Sequence, residues 1–483
     1  MEDSSKNSYR SILKGTSIFG GMQVFLILIN LVRGKFVAMF LGPEGMGISS
    51  LFNATANTVV KASSFGLNLA IVKEVAAENE SGKAFGGLLK IIRRLVFLTA
   101  LLGCGMCMLL SRYLSEWTFG SSGYAWQFVA LGLVVFLTIV SNGKSSVLQG
   151  LHEVRMLSKA SIVGALTGLF AGVPLYYFFG TRGIVPAMIL FAAVNLIFYH
   201  WNVGKATGNI RPSENSLDFK SVSRKLIGLG ILLVAGDLIG TAVTYTINVF
   251  LRYYGDVDTV GLYQAANSMT NQYAGAVFAA MSLDYFPRLA AVAADNDRMN
   301  ETVNRQSEIM ALVLGPISIA VILTAPVLIK LLLTESFYPV LGLMRWMGLG
   351  VLLKGLQFPM GYIAFAKNNK KLFVKLEVIL TNVVTLAFSI MGFYFFGLVG
   401  LGYAVVAENI LALIVYLAVN HRTYGYSFSG AVKFEYGLAI SMTVLCLVAS
   451  LLIDSWIGYA VISGFLVCSA FHGIKRIKIL MRK

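Results

Sequence analysis

The chain has 483 residues, of which 57% are hydrophobic and only 13% are charged, and its formal net charge is +16. Soluble domains carry about 25% charged and about 45–50% apolar residues. This composition therefore excludes a soluble multidomain enzyme and predicts a fold that lies mostly inside a bilayer.

The apolar segments predict an all-α polytopic membrane protein with about fourteen transmembrane helices, since each such helix needs roughly 20 mostly apolar residues. In chain order the predicted spans cover residues 13–41, 47–70, 92–111, 125–149, 160–179, 184–202, 226–251, 260–283, 307–333, 339–365, 372–396, 400–420, 436–453 and 456–473. The first apolar run continues well past the length of a signal peptide, so we expect an uncleaved first span.

The loop charges orient these spans. The odd-numbered loops hold only Arg112, Arg182 and Arg252, whereas the tails and the even-numbered loops hold most of the 39 basic residues. Because basic loops stay in the cytoplasm, we expect both termini to be cytoplasmic. The net charge then reflects membrane orientation and attraction to anionic lipids, and no nucleic-acid partner is expected.

Function classes that need a folded domain or a nucleotide are disfavoured. The odd-numbered loops are short, the longest covering about 112–124, so they leave no room for the external loop of a membrane-bound polymerase or ligase. No phosphate-binding Gly-x4-Gly-Lys-Ser/Thr loop is present, so ATP is not expected to drive the protein.

The chain contains an internal repeat of about 215 residues. Three helix junctions recur: Gly47 matches Gly261 at an offset of 214, the turn at His152 matches the turn at Asn368 at an offset of 216, and segment 179–183 matches 396–400 at an offset of 217. Each copy holds six spans, an even number, so the copies are predicted to be parallel, as in many alternating-access transporters.

The repeat divides the chain into four predicted segments. They are an N-lobe with helices 1–6 (1–203), a cytoplasmic linker (204–225), a C-lobe with helices 7–12 (226–420), and two further helices with a basic tail (421–483).

Polar residues follow one face of several spans, which is costly against lipid and therefore predicts a water-lined cleft. In the second span they recur at spacings of three and four: Ser50, Asn53, Asn57, Lys61, Ser64 and Asn68. Spans one, seven and eight add Asn30, Asp237, Thr241, Thr244, Asn248, Asn267 and Asn271. The alternative is that these side chains join helices by hydrogen bonds inside each bundle.

Basic residues exceed acidic residues within the spans, which favours an anionic ligand. The basic candidates are Arg33, Lys61, Arg345 and Lys354, and Arg and Lys suit phosphate through charge-assisted hydrogen bonds. Asp237 lies near the middle of span seven. It either neutralises one of these cations in a structural pair or acts as a proton or cation relay.

Residues 31–53, which read LVRGKFVAMFLGPEGMGISSLFN, resemble the first-helix signature of Wzx-type polysaccharide repeat-unit flippases. The resemblance is greatest to O-antigen translocases and the enterobacterial common antigen flippase. These proteins belong to the MOP superfamily, with the lipid II flippase and the MATE drug exporters.

The resemblance implies a V-shaped pair of six-helix lobes in the bacterial inner membrane. Such a protein moves an undecaprenyl-pyrophosphate-linked oligosaccharide repeat unit from the cytoplasmic to the periplasmic leaflet by alternating access. By this analogy Arg33, Lys61, Arg345 and Lys354 would contact the pyrophosphate in a basic central cavity. No catalytic residue, metal or cofactor is expected, and the expected partners are membrane lipids and polysaccharide polymerase and assembly proteins.

Several alternatives stay open. A MATE-like cation-coupled exporter of drugs or metabolites would favour acidic residues in the cavity, and a lipid II-type flippase would carry a peptidoglycan precursor. A non-transporting scaffold would tolerate neutralisation of Arg33 and Lys61. An enzyme is disfavoured, because the four histidines (His152, His200, His421 and His472) are scattered at helix ends.

Overall fold

The computed structural model describes residues 2–81, 85–208, 218–453 and 456–480. It describes side chains from residue 21 onward, except at 24, 79–81, 232–233, 271–274, 276, 279–280 and 282–284. The described chain is almost entirely helical, and no strand occurs among these residues. The helices are α1 (Glu2–Ser64), α2 (Leu67–Ser81), α3 (Phe85–Leu109), α4 (Ser111–Phe119), α5 (Ala125–Gly150), α6 (Val154–Phe179), α7 (Ile184–Thr207), α8 (Phe219–Tyr254), α9 (Val257–Val292), α10 (Asn296–Leu332), α11 (Leu341–Ala366), α12 (Lys370–Phe373), α13 (Thr381–Tyr424), α14 (Gly430–Leu452) and α15 (Trp456–Leu480).

Ten helical stretches of the described chain are long and apolar enough to cross a membrane. Three of them, Gly21–Ser64, Val154–Thr207 and Lys370–Tyr424, have 44, 54 and 55 residues, about twice the length that one crossing requires. If each of these three long stretches is counted as two spans, the ten stretches account for every predicted span except 260–283. That predicted span lies within α9. The prediction of an all-α, multi-pass membrane protein is therefore confirmed.

Each of the three breaks is a single glycine in a backbone conformation that other residues rarely adopt. The φ and ψ angles are 64° and −166° at Gly42, 55° and −135° at Gly180, and 61° and −147° at Gly397. A Cβ atom is strongly disfavoured in this region. These glycines lie at three of the predicted junctions between spans, which explains why the junctions are visible in the sequence.

The backbone repeats at the predicted offset. His152 and Asn368 are 216 residues apart, and they are two of the three non-glycine residues of the described chain with positive φ, at 58° and 54°. The following amides also match, since Glu153 N donates to Leu148 O at 3.0 Å and Asn369 N donates to Ala364 O at 2.9 Å. The internal repeat is therefore present in local structure as well as in sequence.

Two compact units divide the chain, Met1–Tyr253 and Tyr254–Lys483. Helix α8 belongs to the first unit, although the sequence-based division assigns it to the C-lobe at 226–420. The division into lobes and their V-shaped arrangement stay predictions.

Within the second unit, the two C-terminal helices are joined to α10 by a charge network whose carboxylates are buried. The guanidinium of Arg476 on α15 lies 3.1 Å from Glu308 on α10 and 3.5 Å from Glu435 on α14, and His472 Nε2 lies 2.9 Å from the other Glu435 oxygen. Glu435 is only 3% exposed. Because unpaired buried charges are costly, this network fixes how α14 and α15 pack on α10.

Candidate functional site

Lys61 is a cationic group of the first unit that contacts two polar side chains of α8. Its Nζ lies 2.7 Å from Asp237 Oδ2 and donates a 2.7 Å hydrogen bond to Thr241 Oγ1, both on α8. The Lys61 and Asp237 side chains are 32% and 64% exposed, so the pair is open on one side. An ammonium has three donors, and one is left for a ligand after these two contacts.

The same helix follows the first unit over most of its length. Lys225 near the start of α8 pairs with Glu74 of α2 at 2.7 Å, and Tyr245 further along shares a 2.6 Å hydrogen bond with Thr118 of α4. Since α8 residues of increasing number meet α2 first and then Lys61 of α1, α8 runs antiparallel to this part of the chain. The Lys61 contact therefore lies between these two contacts along α8.

At one point of this interface the two backbones touch. A Cβ atom on Gly230 of α8 would lie 2.3 Å from Phe65 O, and one on Gly66 would lie 2.2 Å from Gly230 O. Phe65 and Gly66, which form the turn between α1 and α2, both have positive φ, at 49° and 67°. The absence of a side chain on either glycine is what allows α8 to approach one turn from Lys61.

The neutral residues predicted to line the cavity differ in exposure. Asn30, Asn53, Asn57 and Thr244 are exposed, Asn68, Thr241 and Asn267 are half-buried, and Ser64 and Asn248 are buried. The side chain of Asn271 lies outside the described residues. The hydroxyls of Thr241 and Thr244 donate to carbonyls four residues earlier, at 2.9 and 3.0 Å, so these contacts stay within α8.

Arg33 has a different set of contacts from Lys61. Its Nη2 donates to Tyr176 Oη at 3.2 Å, and its guanidinium lies 5.4 Å from the centre of the Phe191 ring. These partners are on α6 and α7, whereas the partners of Lys61 are on α8. Arg33 also precedes the break at Gly42, so the structure does not bring the two predicted pyrophosphate contacts to common partners.

The second unit separates its two predicted cations as well. Arg345 and Lys354 are nine residues apart on α11, and at 3.6 residues per turn they lie on opposite faces. Arg345 is 9% exposed, and its Nε has no hydrogen-bond partner among the described residues. Lys354 is exposed and lines a cavity of about 320 Å³. The helical spacing alone could have excluded a shared site for this pair.

The Lys354 cavity contains functional groups that the sequence analysis did not select. Its polar lining is Gln357, Glu377, Thr381 and Tyr416, and its apolar wall includes the rings of Phe358, Tyr362, Phe365 and Phe373. Tyr416 donates a hydrogen bond to Glu377. Spacings of three and four on α11 place Lys354, Gln357, Phe358 and Phe365 on one face. This periodicity is the sequence signal from which the cavity could have been predicted.

Glu377 lies in an irregular stretch of helix, the π-helical turn Val374–Leu380. Thr381 Oγ1 donates to Leu376 O at 2.9 Å, five residues earlier, as this wider turn permits. π-helical turns inside α-helices occur frequently at functional sites. The cavity thus combines a cation, a carboxylate, one amide and aromatic faces, a set that suits a polar organic ligand.

Comparison with solved structures defines the class of fold. A structure of the lipid II flippase MurJ in an inward closed conformation has a TM-score of 0.72 and 12% identity, covering 96% of this chain and 99% of that one. A MATE family multidrug resistance transporter of the MOP superfamily, in an inward-facing conformation, has a TM-score of 0.69 and 15% identity, covering 85% of this chain and 96% of that one. The chain therefore shares the fold of these two transporters, as the resemblance predicted.

Sequence comparison then gives the family. The chain belongs to the family described as polysaccharide biosynthesis protein, whose model matches residues 36–342. It is also similar to the lipid III flippases of Escherichia coli (strain K12) and Shigella flexneri, with 22% identity over 362 residues, or 72% of this chain and 84% of each relative. These relatives are flippases, which agrees with the prediction that the chain is not an enzyme.

Proposed function

We propose that the protein is a flippase that moves an undecaprenyl-pyrophosphate-linked oligosaccharide repeat unit from the cytoplasmic to the periplasmic leaflet of the bacterial inner membrane. Both termini would be cytoplasmic. The family, the similarity to lipid III flippases and the MOP superfamily fold support this proposal. The observation that carries it is the Lys61 site.

The physical problem is the charge of the head group. A diphosphate cannot cross about 30 Å of hydrocarbon unless fixed cations replace its hydration. Lys61 meets this need, because its ammonium is oriented by Asp237 and Thr241 and keeps one donor free. A pyrophosphate carries more negative charge than one carboxylate and would compete with Asp237, whose largely exposed carboxylate can turn to water instead.

Neutral groups around this cation suit the glycan. Asn53 and Asn57 are exposed on the same helical face as Lys61, and amides can hydrogen-bond sugar hydroxyls without committing to one sugar. Within the second unit, the cavity beside Lys354 has aromatic faces and the amide of Gln357. We assign the pyrophosphate contact to Lys61, while contacts from Arg33, Arg345 and Lys354 stay predictions.

The test is complementation in a strain whose own copy of this gene is deleted, with surface glycan and the unflipped lipid-linked intermediate both measured. We expect Lys61→Ala to lower surface glycan at least tenfold and to accumulate the intermediate. Lys61→Arg should retain part of the activity because it keeps the charge. The matched control is Lys73→Ala, which removes an exposed lysine of α2 and should complement fully at equal protein level.

Other results would contradict the proposal. Full complementation by Lys61→Ala would remove the cation requirement and favour a scaffold role for the protein. Export of cationic drugs by the wild type, with normal surface glycan in the deletion strain, would favour a MATE-like exporter. Rescue of a strain depleted of its lipid II flippase would instead assign a peptidoglycan precursor. Co-purification with a polysaccharide polymerase would test the predicted assembly partners.

A further inference from the structure

A second basic cavity lies in the first unit, away from Lys61 and its partners. It has a volume of about 110 Å³ and is bounded by α3, α5 and α7. Its polar groups are Arg93, Lys144 and Thr207, and the rest of its lining is apolar, mostly Leu, Ile, Val and Phe. Two cations in an apolar wall form an arrangement that the proposed transport pathway does not use.

The cations of this cavity have no counter-ion in the described part of the chain. Neither the Arg93 guanidinium nor the Lys144 ammonium forms an ion pair or hydrogen bond there. The two side chains line the same small cavity, so their like charges repel each other. Neighbouring like charges without compensation are unfavourable, and an anion between them would relieve this repulsion.

The cavity lies near one end of its three helices. Lys144 is six residues before the end of α5, about 9 Å along the axis, and Thr207 is the last residue of α7. Trp201, which is 58% exposed, stacks with Lys205 at 3.5 Å nearby on α7. Exposed Trp and basic residues mark the membrane–water interface, so the cavity is at head-group depth.

We infer that this cavity binds the head-group phosphate of an anionic glycerophospholipid between Arg93 and Lys144. The acyl chains would lie against Phe97, which is 49% exposed beside the cavity. Basic pockets between transmembrane helices at the cytoplasmic side are typical sites for anionic lipids. The volume equals about three to four waters at ~30 Å³ each, which suits a phosphate and is too small for an oligosaccharide.

The test is native mass spectrometry of the full chain released from nanodiscs that contain phosphatidylglycerol and phosphatidylethanolamine with the same acyl chains. We expect wild type to retain phosphatidylglycerol selectively and Arg93→Gln/Lys144→Gln to retain at least fivefold less. The matched control is Arg94→Gln/Lys205→Gln, which removes the same charge at the same end of α3 and α7. Those two residues instead stack on Phe219 and Trp201, so the control should retain phosphatidylglycerol like wild type.

Three results would overturn the inference: equal loss in both double variants, equal retention of both phospholipids by wild type, or displacement of phosphatidylglycerol by undecaprenyl pyrophosphate. The last would make the cavity a substrate site. If the double variant fails to fold, Arg93→Gln alone decides the question. Arg93 is exposed, so this single variant should fold and still lose most of the retained phosphatidylglycerol.

Discussion

The contact between α8 and the turn after α1 gives a sharp test of the structure. Gly230→Ala adds one methyl group, which would lie 2.3 Å from Phe65 O and 2.8 Å from Gly66 C. Both atoms belong to the backbone and cannot rotate away. Gly228, two residues before Gly230 on the same helix, has nothing within 4 Å of its added Cβ. Gly228→Ala is therefore the matched control for helix propensity.

The size of the effect follows from this overlap. Non-bonded carbon and oxygen approach to about 3.3 Å, so α8 must move by roughly 1 Å at Gly230. Overpacking of this kind costs about 1–3 kcal/mol, while Gly→Ala in a helix returns about 0.5–1 kcal/mol. The net loss is centred at about 1 kcal/mol, which for a unit of this size should lower Tm by about 2–4 °C. Half of that movement at Asp237 would also lengthen its 2.7 Å contact to Lys61 to about 3.2 Å, the long end of the hydrogen-bonding range.

The assay is thermal unfolding of purified protein in detergent, followed by tryptophan fluorescence, with surface glycan measured in parallel. We expect Gly230→Ala to lower Tm and transport, and Gly228→Ala to leave Tm unchanged or raised. Equal Tm values for the two variants would refute the close backbone approach of α8. Loss of transport by Gly228→Ala would show instead that α8 tolerates no added methyl on any face.

Two further predictions concern the second unit. Glu435→Gln weakens a buried acceptor of Arg476 and should lower the free energy of unfolding by about 1–3 kcal/mol. The control is Glu301→Gln, which breaks the ion pair with Arg305, whose two side chains are 60% and 75% exposed. This control should leave Tm nearly unchanged. Similar Tm values for these two variants would contradict the role of the buried network. Gly397→Ala places a side chain at φ 61° and ψ −147° and should cost about 1–3 kcal/mol, whereas Gly437→Ala, in open space on α14, should be neutral or stabilising. Thermal unfolding checks both, and a neutral Gly397→Ala would mean that the break tolerates other residues.

The positions of the spans were predictable because their causes are local. An apolar run of sufficient length predicts a crossing, and the glycines at 42, 180 and 397 end each run with a conformation that few other residues adopt. The repeat was visible for the same reason, since the turns at His152 and Asn368 have the same hydrogen bonds and the same left-handed residue. At these glycines and turns, the sterically allowed backbone angles of a single residue determine where a helix ends.

The partners of each charged side chain could not be predicted in this way. Lys61 and Thr241 are 180 residues apart, and no periodicity in either helix indicates that α8 lies against α1 within the first unit. The sequence left two roles open for Asp237, and the ion pair with Lys61 is the geometry observed. The four candidate cations were grouped by their depth in the predicted spans alone. Depth does not account for helical phase, which separates Arg345 from Lys354. It also does not account for local partners such as Tyr176 beside Arg33.

An exchange of charges separates structure from transport at the Lys61–Asp237 pair. Lys61→Asp or Asp237→Lys alone places like charges at a 2.7 Å contact and should lower Tm. The double exchange restores an ion pair of opposite polarity, so Tm should return toward the wild-type value, with the exposed pair limiting the gain to about 1 kcal/mol.

Transport should not return in the double exchange, because the cation would then project from α8 instead of from the polar face that Lys61 shares with Asn53 and Asn57. Protein level and membrane insertion are measured for all three variants, since only equal amounts make the comparison valid. Recovery of both Tm and surface glycan would show that the pair serves only to hold α8 in place. In that case the pyrophosphate contact assigned to Lys61 would be wrong, and the basic groups of the second unit would become the first to test.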